Sequence, residues 1–143
     1  MENTIDIRQA TIHDLNALEK VGDALFDYSI KRDRAIEFLN DSRHHLFLAL
    51  DGSKVVGMAS GVHYVHPDKD PSLFINEVSV LEEYQKQGIG KILVKEIWTY
   101  AKTLGCKDAW VGTETSNTAA QKCYMGAGGV PDDDPFILFE FSE

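Results

Sequence analysis

Two closely spaced glycines, Gly88 and Gly90, lie in the segment Val78-Ser79-Val80-Leu81-Glu82-Glu83-Tyr84-Gln85-Lys86-Gln87-Gly88-Ile89-Gly90-Lys91. The residues before them favour a strand and those after them a long helix. A strand that turns into a helix leaves several backbone N–H groups unpaired and pointing outward. Together with the helix dipole they favour an anion, and phosphate suits them well. Glycine lets a pyrophosphate come close, where a side chain would block it. Lys86 and Lys91 add positive charge, although acids outnumber bases 23 to 14 along the chain. A Walker loop needs Ser or Thr after Gly-Lys and four residues between its glycines; Ile92 follows Lys91, and one residue separates the glycines. A dinucleotide fingerprint needs a third glycine where Leu93 stands. The remaining phosphate pattern is Gln-x-x-Gly-x-Gly, present as Gln85-Lys86-Gln87-Gly88-Ile89-Gly90. A tight turn that holds no ligand is the competing reading.

Other reactive side chains say less. His63 and His66 have metal-pair spacing without a third ligand nearby, which favours structural or surface roles, so no metal is expected. Cys106 and Cys123 fit neither a disulfide framework nor a zinc pattern and read as small buried hydrophobes.

The turn needs a scaffold, and the chain supplies one of ordinary size. Its 143 residues suit a single domain, 1–143, with 43% hydrophobic and 26% charged residues. The net charge of −9 argues against binding nucleic acid or an anionic membrane surface and leaves room for a cationic partner. No apolar run approaches the ~20 residues of a membrane span. The polar, acidic start resembles neither a signal nor a transit peptide, so a cytoplasmic protein of bacterial style is expected.

Ile5 to Arg8 reads as a short strand, and Thr11 with Asp14 as a near capping box opening a helix through Leu15, Leu18, Val21 and Leu25. A second helix covers Arg34 to Asn40. The apolar runs His45–Leu50 and Val55–Val62 flank Asp51-Gly52 and form an antiparallel hairpin. Leu73 to Val80 is the next strand, and Ile89 to Leu104 is the clearest helix, ended by Gly105. Asp108 to Thr113 is a strand, Asn117 caps a helix to about Met125, and Phe136 to Phe141 is a last strand. The order implies an α/β layer structure with a mixed sheet.

The hexapeptide at Gln85–Gly90 resembles the acetyl-CoA pyrophosphate loop of the GCN5-related N-acetyltransferase (GNAT) superfamily. A second match follows in order: Asn117-Thr118-Ala119-Ala120-Gln121-Lys122-Cys123-Tyr124, similar to that superfamily's Asn-x-x-Ala-x-x-x-Tyr, then Gly128. Gly128-Gly129-Val130 departs from the usual glycine followed by a bulky apolar residue. The resemblance implies the GNAT fold: a central mixed, mostly antiparallel sheet of six to seven strands flanked by about four helices. It implies acetyl-CoA as cofactor, held by main-chain groups across Gln85, Lys86, Gln87, Gly88, Ile89, Gly90 and Lys91. The pantetheine arm would lie beside Val78-Ser79-Val80 and touch Asn117, with an N–H near Val78 or Val80 facing the thioester oxygen. Glu77 is placed to take the acceptor amine's proton, directly or through water, and Tyr124 to protonate the departing sulfur. A surface glutamate and a half-buried aromatic are the plain alternatives for these two.

Shorter segments, Phe74–Val80 and Phe136–Phe141, look most like the small aminoglycoside 3-N-acetyltransferases, which carry an acid at the place of Glu77 and a Phe-acid pair matching Phe139-Glu140. The acids Glu114, Asp132, Asp133, Asp134, Glu140 and Glu143 face one base, Lys122, from Val111 onward. Such a lobe attracts a cationic amine. Tyr64, Glu77, Asp132, Asp133, Asp134 and Glu140 are therefore the candidate acceptor-binding residues, with an ordinary solvated surface as the alternative for the aspartate run. The expectation is direct acetyl transfer, in a ternary complex, to a primary amine of a cationic small molecule such as an aminoglycoside. A polyamine or peptide N-acetyltransferase and a non-catalytic coenzyme-binding module are the other readings. Oligomeric state is not legible, and a homodimer is the commonest arrangement.

Overall fold

The computed structural model describes residues 4–143. Strand β1 (Asp6–Gln9) leads to a 3-10 turn (Ile12–Asp14) and helix α1 (Leu15–Val21). Thr11 and Asp14 form a complete capping box. Asp14 is buried, but Arg8 donates two hydrogen bonds to it at 2.9 and 2.7 Å and the Thr11 N–H a third at 2.7 Å. The Arg8 guanidinium holds the Asp14 carboxyl below its ordinary range, so the first strand and helix are joined by a satisfied charge pair.

Helix α2 (Arg32–Asn40) precedes β2 (His44–Asp51), β3 (Lys54–Tyr64) and β4 (Ser72–Val80). A 3-10 turn (Glu82–Tyr84), α3 (Ile89–Thr103), β5 (Asp108–Trp110) and α4 (Thr118–Gly126) complete the order. The sheet runs β1-β2-β3-β4-β5, antiparallel except for the parallel β4–β5 pair. Among the described residues there are thus five strands, fewer than the six to seven expected, and four α-helices.

Two expected strand segments are missing. Phe136–Phe141 forms no strand, and β5 stops at Trp110 rather than Thr113. In each case no strand among the described residues lies alongside to complete a ladder, and an unpaired strand has no hydrogen-bonding reason to persist.

The hydrophobic pattern sets the layers. Leu93, Ile97 and Ala101 on α3 are fully buried, as are Leu48, Val56, Met58 and Leu73 on the sheet. A Cβ on Gly57 would meet Leu93, and one on Gly61 would meet Ile97, so this face of β3 lies against α3. Alternation carries Val78 and Val80 of β4 to that same face, since they pair with Ala59 and Gly57. Glu77 pairs with Ser60 and points the other way.

Candidate active site

β4 is the strand on which the site is built. Its pairing with β3 steps from Ser60–Glu77 to Gly61–Ile75, leaving Asn76 as an extra residue. This is a β-bulge, which bends a strand and re-aims its side chains. Its pairing with β5 covers Ser72 to Phe74 alone. From Ile75 to Val80 the other edge of β4 carries no strand, so the sheet parts there. The exposed main-chain groups of that edge can accept an extended ligand as an added strand.

The glycine turn lies at the far end of this edge. Gly88 has φ +80° and ψ +10°, and a Cβ there would meet nothing within 4 Å, so the left-handed backbone is what calls for glycine. Lys86 is also left-handed, at φ +65°. The first bond of α3 runs from the Ile92 N–H to the Gly88 carbonyl at 3.1 Å. The N–H groups of Gln87, Gly88, Ile89, Gly90 and Lys91 donate to no backbone partner among the described residues. Left-handed residues beside a helix start gather such donors into an anion-binding concavity. Gly90 has a steric role instead, because its Cβ would lie 3.2 Å from Cys123 Sγ on α4. The Gln85 side chain donates to the Val80 carbonyl at 2.8 Å and so braces the turn against β4.

Glu77 is half-buried, and its carboxyl is pushed above the ordinary range by burial and then by the nearby Asp27 carboxylate. Asp27 lies between α1 and α2 and belongs to no motif, so sequence reasoning had no signal for it. Tyr124 is half-buried on α4, and burial, then Cys123 and Glu114, raise its phenol above the usual range. It stays protonated at neutral pH and is available as a donor. The Cys123 thiol is pushed up by burial as well, which keeps it un-ionised and a poor nucleophile.

Other candidates are placed differently. Asn117 caps α4, its Oδ1 accepting from the Ala120 N–H at 3.1 Å, and its side chain is exposed. Tyr64 accepts a 2.7 Å hydrogen bond from Trp110 Nε1 and meets His66 edge-on. It pairs with Ser72, five residues before Glu77, or on the order of 15 Å along the strand. The structure therefore joins Tyr64 to Trp110 rather than to Glu77. Asp132, Asp133, Asp134 and Glu140 lie exposed on the segment after α4, where no hydrogen bond ties them to Glu77 or the turn.

His63 packs on His45 with a 2.7 Å ring-nitrogen contact, and His66 contacts Ser72 Oγ at 3.3 Å. No group of three or more His, Cys, Asp or Glu converges on a metal-sized site among the described residues. No helix among them is long and apolar enough to cross a membrane. Surface hollows beside Ile12, His13 and Arg32, and beside Phe38, His44 and Tyr100, share no residue with the parted edge.

Comparison with known proteins bears on the fold and the family. A crystal structure of the aminoglycoside acetyltransferase meta-AAC0020 from an uncultured soil metagenomic sample, in complex with sisomicin, superposes with a TM-score of 0.85. The two are 19% identical, over 99% of this chain and 98% of that one. Aminoglycoside N-acetyltransferase AAC(6')-Iy in complex with CoA superposes at 0.80, with 21% identity over 98% and 97% of the two chains. At these identities the likeness shows the fold.

Among curated sequences, N-acetyltransferase 8F1 of Rattus norvegicus is 31% identical over 57% of this chain and 38% of its own length. Aminoglycoside N(6')-acetyltransferase type 1 of Salmonella typhimurium is 26% identical over 57% of this chain and 59% of its own. An uncharacterized N-acetyltransferase of Bacillus subtilis, CgeE, is 40% identical over 33% of this chain and 18% of its own length. The chain thus spans less than two thirds of the length of each of these curated relatives. Where their names carry a position it is 6', not the 3-N expected from the short segments. Residues 10–128 match the Acetyltransferase (GNAT) family, and the chain belongs to that family.

Proposed function

We propose that the protein is an acetyl-CoA-dependent N-acetyltransferase whose acceptor is a primary amine of a cationic small molecule, an aminoglycoside-type polyamine sugar. The observation that carries this reading is the parted edge of β4 ending in a turn of free amides. That combination fits a long ligand with an extended amide-bearing arm and a pyrophosphate. The Gln87–Lys91 amides, with Lys86 and Lys91 beside them, suit the pyrophosphate. The Val78–Val80 edge suits the arm.

Bound there, acetyl-CoA supplies an acetyl group already activated as a thioester. The chain's own groups do the rest. Glu77 removes a proton from the acceptor ammonium, directly or through water, so that the nitrogen lone pair is free. A main-chain N–H of Val78 or Val80 donates to the carbonyl oxygen as it gains negative charge. Tyr124 gives its proton to the sulfur as the carbon–sulfur bond breaks, and the second proton, shed by the nitrogen once the new N–C bond has formed, returns the phenolate to phenol, so that one net proton leaves through Glu77 to water. The products are an N-acetylated amine and a free thiol. Packed against Gly90 and un-ionised, Cys123 is a poor candidate for carrying the acetyl group itself, which supports direct transfer.

Asp27, whose negative charge acts on Glu77, adds to the case for a cationic acceptor, because a negative field suits a polyamine better than a neutral amine. The 6' names of the relatives favour a 6'-amine over the 3-N position. The test is a thiol-release assay with acetyl-CoA against aminoglycosides, spermidine, amino acids and peptides. Turnover with aminoglycosides supports the proposal. Turnover confined to spermidine or peptides replaces the acceptor. Tight acetyl-CoA binding with no acceptor turned over favours a non-catalytic binding module.

A further inference from the structure

Gly126 is a glycine that the backbone does not call for. It is the last residue of α4, and its φ lies outside the left-handed region. Within a helix glycine is disfavoured relative to alanine, because it gives up more chain entropy. What favours it here is space. A Cβ at this position would lie 3.0 Å from Lys91 Cδ and 3.7 Å from Lys91 Cγ. Beyond its chain neighbours and its own helix, no other described atom comes within 4 Å. The stem of Lys91 therefore lies across the open Cα of Gly126.

Lys91 is itself unusually placed. It is the third residue of α3, where the helix dipole and the free amides already present positive charge, so a cation is unfavourable there. Although acids outnumber bases 23 to 14 along the chain, Lys91 forms no ion pair among the described residues. Its charge is felt at Cys123, where burial raises the thiol and Lys91 opposes the rise. Cys123 Sγ sits 3.2 Å from where a Cβ of Gly90 would be, and the Gly90 N–H is one of the free donors. The two helices thus cross on a reciprocal pair of glycine contacts, Gly90 to Cys123 and Gly126 to Lys91. The second contact lays the lysine stem along α4 and keeps its charge beside the amides.

We infer that Gly126 is a positioning residue for the cofactor: it opens the slot that holds the Lys91 stem, and so fixes the ammonium where it meets a phosphate of CoA. A lysine free in solvent must freeze its flexible stem when it pairs with an anion. A stem already laid in a slot has less freedom to lose, so more of the charge attraction appears as affinity. A bound phosphate accounts for both odd features at once. It supplies the counter-charge that a cation at a helix N-terminus lacks, and it gives a use to a glycine that weakens α4. The inference rests on the proposed seat for acetyl-CoA and adds to it a residue of α4, outside the glycine turn.

Calorimetric titration of CoA tests it. Lys91→Met should weaken CoA about tenfold, the scale of one charge-assisted hydrogen bond. Gly126→Leu fills the slot, turns the lysine out and should weaken CoA about five- to tenfold. Gly126→Ala shifts the stem by a few tenths of an ångström. It should weaken CoA about threefold without lowering the urea midpoint, because alanine is the better helix residue. With the ammonium removed by Lys91→Met, adding Gly126→Leu should change the CoA Kd by less than about twofold. Pantetheine has the arm and no phosphate; its Kd, read from the Val78–Val80 amide shifts, should stay within about twofold of native in every variant. Native CoA affinity in Gly126→Leu overturns the slot. So does an equal loss in the Lys91→Met background, or an equal loss for pantetheine, since either places the effect in the fold and not at a phosphate. Should Gly126→Leu fail to fold, Gly126→Ala carries the same comparisons, and native CoA affinity there overturns the slot. A native protein that binds no CoA overturns the seat itself, a result distinct from all of these.

Discussion

Replacing Gly88 by alanine separates backbone conformation from contact. The Cβ of alanine would meet no atom within 4 Å, so no clash contributes in the free protein. What it meets is the left-handed backbone at φ +80°, which costs an L-residue about 1–2 kcal/mol. Gln85 to Gly88 are exposed, so the turn can relax out of that conformation. Binding must then restore it, and the same 1–2 kcal/mol appears as an affinity loss of about 5–30-fold. Gly52 is the matched control: φ is +61°, a Cβ also meets nothing within 4 Å, and it lies in the β2–β3 hairpin, where Asp51 and Lys54 touch Tyr84 but no hydrogen bond reaches residues 85–91. Gly52→Ala should lower urea-unfolding stability by about 1–2 kcal/mol and leave the CoA Kd within twofold of native. Calorimetric titration of CoA into both variants measures the contrast. A Gly88→Ala Kd within twofold of native, with Gly52→Ala destabilised as stated, would refute the argument that the left-handed turn gathers the pyrophosphate donors.

Glu77→Gln should lower kcat/KM for the acceptor by about 10²–10⁴-fold while CoA affinity holds. Asp27→Asn should shift the acid limb of kcat/KM to lower pH without abolishing turnover, because it removes the like charge that helps raise Glu77; an unmoved limb counts against Glu77 as the base. Tyr124→Phe should reduce kcat by about 10²-fold or more with CoA binding nearly intact, and unchanged turnover would remove the phenol from the reaction. His45 is 3% exposed, and burial, followed by His63 and His44, holds its pKa at about 4. The native state keeps the ring neutral where the unfolded chain takes up a proton. Its contribution is complete above the unfolded pKa of 6.5 and is lost as pH falls toward about 4. Between pH 7 and pH 5 this amounts to about 2 kcal/mol. Urea unfolding at the two pH values should show this loss in the native protein and much less in His45→Gln; equal losses would be inconsistent with a neutral buried His45.

Features written in local sequence were legible. Thr11 and Asp14 announced their capping box, the α3 face repeated at helical spacing, and Asn117 marked the start of α4. The glycine turn was legible for the same reason, since its conformation and free amides depend on residues adjacent in the chain. Features set by pairing between distant segments were not. The Asn76 bulge appears once β3 and β4 are in register, and the parting of the sheet follows from where β5 stops. Asp27 acts on Glu77 by its charge from a segment with no periodicity or motif. The alternation of Tyr64 predicts a strand position but not its bond to Trp110. Phe136–Phe141 has strand composition, yet composition cannot supply the neighbouring edge that a strand needs.

The claim on which the rest depends is that the parted β4 edge and the amides before α3 together seat acetyl-CoA. Titration of 15N-labelled protein with acetyl-CoA, followed by amide chemical shifts, tests it directly. The largest changes should fall on Val78, Ser79 and Val80 and on Gln87 through Lys91. Changes centred instead on the hollow beside Ile12 and Arg32, with those amides unmoved, would contradict it.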